Sequence, residues 1–79
     1  MWYVYVINSM KSDFKYVGST NNVKRRLEEH NKGLCISTKN YRPFKLSTYI
    51  AVGQKDKALY LERYFKSGSG GAFLKKHLL

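Results

Sequence analysis

A chain of 79 residues is enough for one domain and leaves too little interior for two. Its 43% hydrophobic and 15% aromatic residues suffice for one compact core, which excludes a disordered or low-complexity chain. Fifteen Lys and Arg against five Asp and Glu give a net charge of +10, more than solubility needs, and point to a polyanionic partner or, more blandly, to a solvated basic face.

The N-terminal run "MWYVYVI" is apolar, lacks a preceding basic segment and is broken at Asn8, so it predicts neither a signal sequence nor a membrane span. Trp2, Val4 and Val6 alternate with Tyr3, Tyr5 and Ile7, the period of a strand. "NSMKSD" supplies turn residues and "FKYVGS" returns, so residues 2–19 read as an antiparallel hairpin. Thr20 or Asn21 can cap a helix that runs to Asn31, with Val23 and Leu27 as its apolar stripe, Glu28 and Glu29 facing water and Gly33 as its stop.

Residues 34–44, "LCISTKNYRPF", lack a period and carry the only proline, which predicts a loop. A third strand follows over 45–52. The segment "GQKDKALYLERYFKSG" then reads as a helix with Ala58, Leu61 and Phe65 on its apolar side, "SGSGG" as its end, and "AFLKKHLL" as about two further helical turns. The order is β-β-α-β-α-α. An α+β fold, with a small three-stranded antiparallel sheet flanked by helices in one domain over residues 1–79, is the simplest architecture.

Cys35 is the only cysteine and His30 and His77 the only histidines, so a disulfide is impossible within the chain and a tetrahedral zinc site is hard to assemble. A reducing, cytoplasmic setting without a membrane is the expectation. Arg26 and His30 lie four apart on the first helix, where they can grip one phosphate or form a solvated face. Glu62 stands at the margin of an apolar stripe. It can pair with Lys66 one turn on, or hold a magnesium ion whose other ligands are waters and substrate phosphate.

Together these pieces resemble the GIY-YIG nuclease family over nearly the whole chain. "YVY" at 3–5 and "YVG" at 16–18 stand for the two name motifs, Arg26 and His30 fall in "VKRRLEEHNKG", and Glu62 falls in "ALYLERYFKSG". Tyr3 replaces the first glycine, and the C-terminal segment lacks the asparagine of larger relatives. "STKNYRPF" and "KSGSGGAF" are similar to segments of the short stand-alone branch.

The resemblance implies a divalent-metal-dependent endonuclease that hydrolyses phosphodiesters in DNA, with RNA left open. Tyr5 or a neighbour would orient or deprotonate the attacking water, Tyr16 would hydrogen-bond the water or phosphate, and Arg26 would stabilise charge on phosphorus. His30 would support the phosphate or transfer a proton, and Glu62 would hold one Mg²⁺ or Mn²⁺. A tyrosine base would need Arg26, Lys15 or metal charge to lower its pKa. Which group takes the proton stays open, and Tyr3 is expected to pack.

Lys15, Lys24, Arg25, Lys39, Arg42 and Lys66 are the cations expected at the nucleic-acid backbone, with Lys39 equally placed to be an ordinary surface lysine. So short a chain has little surface for reading a long base sequence, which favours structure-directed or weakly sequence-specific cleavage, a targeting partner or self-association. A basic binding module on the same scaffold is the alternative, and a basic structural protein explains the charge but not the constellation.

Overall fold

The computed structural model covers residues 1–79. Strands β1 (Trp2–Ser9), β2 (Lys15–Thr20) and β3 (Phe44–Val52) form one antiparallel sheet in the order β2-β1-β3. Helices α1 (Val23–Asn31), α2 (Lys55–Lys66) and α3 (Gly68–His77) complete the expected α+β order. β1 is the central strand, and Val4, Tyr5, Val6 and Ile7 are all buried because both faces of the sheet are covered. Val4 and Val6 pack with Ala58, Phe65 and Leu74 beneath α2 and α3, whereas Tyr5, Ile7 and Phe44 pack with Val23 and Leu27 of α1. The alternation of side chains along one strand therefore divides the core in two.

The hairpin register pairs Tyr5 with Gly18 and Ile7 with Tyr16. A Cβ at residue 18 would lie 2.5 Å from the Tyr5 hydroxyl oxygen, so the second-motif glycine is what lets that hydroxyl lie across β2. On the other side β1 pairs with β3 from Trp2↔Val52 to Ser9↔Phe44, with an irregularity between Val6 and Ile7 that absorbs Ser47.

The start of α1 lies one or two residues later than expected. Thr20 Oγ1 accepts from the Asn22 amide at 3.1 Å and closes the turn, while Asn22 is the cap, its Oδ1 accepting from the Arg25 amide at 3.0 Å. At the other end, Gly33 takes φ 78°, its amide bonds to the His30 carbonyl and the Leu34 amide bonds to the Glu29 carbonyl. That pair of bonds is the glycine-dependent stop anticipated from the sequence.

The second glycine segment corrects the sequence reading. "SGSGG" does not separate two helices by a loop, because α3 begins at Gly68 immediately after Ser67. Ser67 ends α2 through its amide on the Tyr64 carbonyl and caps α3 by accepting from the Gly70 amide at 3.1 Å. Gly70 is buried, and a Cβ there would stand 1.7 Å from the Tyr64 carbonyl oxygen, so a glycine lets the second helix pivot tightly on the first. Leu78 packs partly buried against the larger core, while Leu79 stays exposed. No helix is long and apolar enough to cross a membrane.

Gly70→Ala is expected to destabilise the fold by about 2 kcal/mol, since backbone and not a flexible side chain occupies the space. Gly68→Ala meets nothing within 4 Å and should be neutral or stabilising by up to about 1 kcal/mol. Urea denaturation of the two variants beside the unmodified chain checks the contrast.

Candidate active site

The residues expected to act together are drawn to one edge of the sheet, on both sides of strand β2. Tyr5 from β1, Tyr16 from β2 and His30 from α1 form one group on the α1 side. Their ring centroids lie 6.3 Å apart for the two tyrosines, 5.8 Å for Tyr5 and His30 and 5.1 Å for Tyr16 and His30. Phe44 closes the group from β3, its ring 5.9 Å from His30.

His30 has no exposed surface, which changes the role expected for it. A side chain with no access to solvent does not grip a phosphate alongside Arg26. Instead its two nitrogens are fully occupied by protein: the Tyr5 hydroxyl lies 2.8 Å from Nε2 and Thr38 Oγ1 lies 2.7 Å from Nδ1. Burial, followed by the nearby Arg26 charge, pushes the His30 pKa below its ordinary value and keeps the imidazole neutral.

Tyr5 departs from expectation in the other direction. Burial dominates, pushing its pKa up to about 12 although the Arg26 guanidinium beside it favours the phenolate. A free phenolate base is thus disfavoured, and the hydroxyl proton stays available to a partner.

Arg26 is the member of the Arg26–His30 pair that reaches the surface, its side chain about one-third exposed at 32%. Its Nη1 donates to Glu29 Oε1 at 2.9 Å, and its Nη2 lies 4.0 Å from Cys35 Sγ. Pairing with Glu29 outweighs burial and, with the Tyr5 oxygen, raises the Arg26 pKa further, so the cation is permanent. Glu29, read above as facing water, is half-buried and is the anion that orients it.

Glu62 approaches from α2 on the opposite face. Ser19 follows Gly18 on β2, points away from the Tyr5 side and donates its hydroxyl to Glu62 Oε1 at 2.7 Å. Lys66 donates to Oε2 at 2.8 Å, and the same ammonium lies 5.5 Å from the Tyr16 ring centroid. Lys66 thereby connects the two faces around the open edge of β2. Burial alone would raise the Glu62 pKa, but the Lys66 and Ser19 hydrogen bonds and the Lys66 and Arg63 charges together hold it below the ordinary carboxylate value.

Of the two readings of Glu62 offered above, the pairing with Lys66 is present, and the carboxylate also accepts from Ser19 of β2. No three His, Cys, Asp or Glu side chains gather anywhere as a ligand cluster. One hard oxygen donor set fits a magnesium or manganese ion that keeps several waters and takes its remaining ligands from substrate, and does not fit a soft-metal site. Glu62 would hold such an ion by exchanging the Lys66 ammonium for it.

The remaining cations are distributed more widely. Lys15 is exposed beside Tyr16 at the start of β2, and Lys24 and Arg25 are exposed on α1, with Arg25 held by Asn21 at 3.0 Å and Glu29 at 3.8 Å. Lys39 is exposed at the start of a single 3₁₀ turn, Lys39–Tyr41. Arg42 folds back, its Nε donating to the Lys39 carbonyl at 2.9 Å and its guanidinium lying over Gly33, so it fastens the loop. Tyr3 stands outside the cluster, edge-on to Tyr49 at 5.8 Å, and lines a groove of about 510 Å³ between α1 and β3 that includes none of Tyr5, Tyr16, Arg26, His30 and Glu62.

The sequence reading missed Ser19 and Thr38. Ser19 could have been found from strand alternation, since it is the neighbour of Gly18 that must face α2. Thr38 lies within "STKNYRPF", but an aperiodic loop gives no sign of which polar residue turns inward.

Two tyrosines and a glutamate thus meet about edge strand β2 of a small α+β domain, with Arg26 beside the Tyr5 hydroxyl. The family model described as the GIY-YIG catalytic domain matches residues 1–72, and the chain belongs to the GIY-YIG family. Domains of this family are generally endonucleases, acting on nucleic acid and typically using a divalent metal. No curated protein matches the chain.

The His30 environment has a consequence for stability. Because its folded pKa lies below the ordinary 6.5, the unfolded chain binds more protons in that range. Its contribution is complete above about pH 6.5 and is lost as pH falls through the folded value. Urea midpoints are expected to drop as pH falls below about 6.5, with a flatter dependence in His30→Gln.

Proposed function

We propose that the protein is a divalent-metal-dependent endonuclease that hydrolyses DNA phosphodiesters with structural or weak sequence preference. The observation that carries this reading is the buried Tyr5–His30 pair, 2.8 Å apart, facing the same sheet edge as Arg26, Tyr16 and Glu62. A purely structural tyrosine–histidine pair would not need a permanent cation beside the hydroxyl and a carboxylate around the edge.

In this reading the scissile phosphate lies along β2, against Arg26 and the Tyr16 hydroxyl, with Lys15 and Lys39 meeting the neighbouring backbone. The attacking water gives its proton to the Tyr5 oxygen as Tyr5 gives its own to His30 Nε2. The high pKa of Tyr5 makes it a relay and not a stored phenolate, and the neutral imidazole is the acceptor. The water oxygen bonds to phosphorus, the phosphorus–oxygen ester bond breaks, the leaving oxygen takes a proton from solvent, and Arg26 offsets the charge that gathers on the equatorial oxygens. A divalent ion on Glu62, when bound, supplies charge neutralisation at the phosphate and the leaving oxygen.

The binding-module alternative draws on one observation, the engagement of both Glu62 oxygens by Ser19 and Lys66. It predicts salt-sensitive binding without cleavage.

Nicking of supercoiled plasmid in Mg²⁺ or Mn²⁺ at low salt separates the two. The nuclease reading expects cleavage that disappears with EDTA and in Glu62→Ala, and a fall of about 10²- to 10³-fold in Arg26→Ala. Binding to plasmid, branched and single-stranded DNA with no cleavage of any of them favours the binding module.

A further inference from the structure

Thr38 has no exposed surface, lies in a loop and belongs to none of the chemistry assigned so far. Its Oγ1 makes two contacts, one with His30 Nδ1 at 2.7 Å and one donated to the Cys35 carbonyl at 3.4 Å. A hydroxyl has one proton to give. If it goes to Cys35, then Nδ1 must carry a hydrogen and donate to Thr38, which leaves Nε2 as a lone pair facing the Tyr5 hydroxyl.

The opposite tautomer satisfies fewer groups. With hydrogen on Nε2, Tyr5 would accept from His30, its own hydroxyl hydrogen would lack an acceptor in a buried setting, and the Cys35 carbonyl would lose the Thr38 donor. The chain Tyr5 to His30 to Thr38 to Cys35, with each group donating to the next, leaves no buried donor idle.

The loop that presents Thr38 is held from several sides. The Thr38 and Lys39 amides both bond to the Cys35 carbonyl, at 3.1 and 3.0 Å. Asn31 clamps the backbone of Phe44 through Oδ1 at 2.6 Å and Nδ2 at 3.2 Å, and Ser9 Oγ donates to the Tyr41 carbonyl at 2.7 Å. These anchors hold the loop so that Thr38 faces His30.

We propose that Thr38 is a positioning residue, whose hydroxyl holds His30 as the Nδ1–H tautomer so that Nε2 is the atom that receives the Tyr5 proton. The catalytic part of this rests on the nuclease reading above. The titratable and charged groups around the imidazole are Tyr5 from β1, Tyr16 from β2, Arg26 and Glu29 from α1, and Cys35 from the loop, while β3 contributes the apolar Phe44. None of these replaces Thr38 at Nδ1.

The test pairs nitrogen-15 NMR of the His30 ring with plasmid nicking for the wild type, Thr38→Val and Thr38→Ser. The unmodified chain should show a protonated Nδ1 and an unprotonated Nε2 near pH 7. Thr38→Val should lose that signature and lower kcat about 10- to 100-fold with KM little changed, whereas Thr38→Ser should keep the signature and most of the rate. The pH–rate profile should shift in Thr38→Val and not in Thr38→Ser. A wild-type imidazole protonated at Nε2, or an unchanged signature in Thr38→Val, overturns the proposal. If the wild type does not nick DNA, the nuclease reading fails while the ring tautomer still decides the role of Thr38. If Thr38→Val does not fold, the wild-type signature and its retention or loss in Thr38→Ser decide the question.

Discussion

Enclosing an imidazole completely between a sheet and a helix is costly unless both ring nitrogens find partners, because each unpaired polar atom keeps its full desolvation penalty. His30 meets this condition by taking a hydroxyl on either side, from Tyr5 and from Thr38. The rest of the molecule accommodates that arrangement. Gly18 has no side chain where the Tyr5 hydroxyl must pass, Asn22 and Gly33 limit α1 to the length that carries His30 over the sheet, and the 34–43 loop folds back to deliver Thr38.

The same condition divides the candidate residues between two faces of the sheet. Side chains on β2 alternate, so Tyr16 joins the buried imidazole while Ser19 turns towards Glu62. An interior strand could not serve both, since its edges would be covered by neighbours. The edge position of β2 leaves a route around which Lys66 already connects Glu62 to Tyr16. Lys15 and Lys66 are the basic side chains next to Tyr16 at that edge.

Much of this was legible in the sequence because it follows from period and spacing. Alternation around Tyr5, the helical interval from Arg26 to His30 and the apolar positions Ala58 and Phe65 fixed the element order and put the candidate residues on the right elements. What escaped depended on contacts between distant segments. The full burial of His30 is set by Phe44 and Thr38 arriving from the far side of a loop, so spacing along α1 could not reveal it. The glycines after Ser67 read as a helix breaker because local propensity is unfavourable, but the approach of Gly70 to the Tyr64 carbonyl overrides propensity by tertiary packing.

The central place of β1 also governs when the site can exist. Its residues precede all of their partners in the chain: they pair with Lys15–Thr20 on one side and with Phe44–Val52 on the other, and they are covered by a helix that ends at Lys66. A growing chain therefore carries Tyr5 as an exposed, strand-forming segment with an open partner edge until β3 and α2 have followed it. His30 is enclosed only after Thr38 and Phe44 have followed it. The basic residues are present before any fold exists, whereas the enclosed Tyr5–His30 pair exists only once the sheet and α1 have come together.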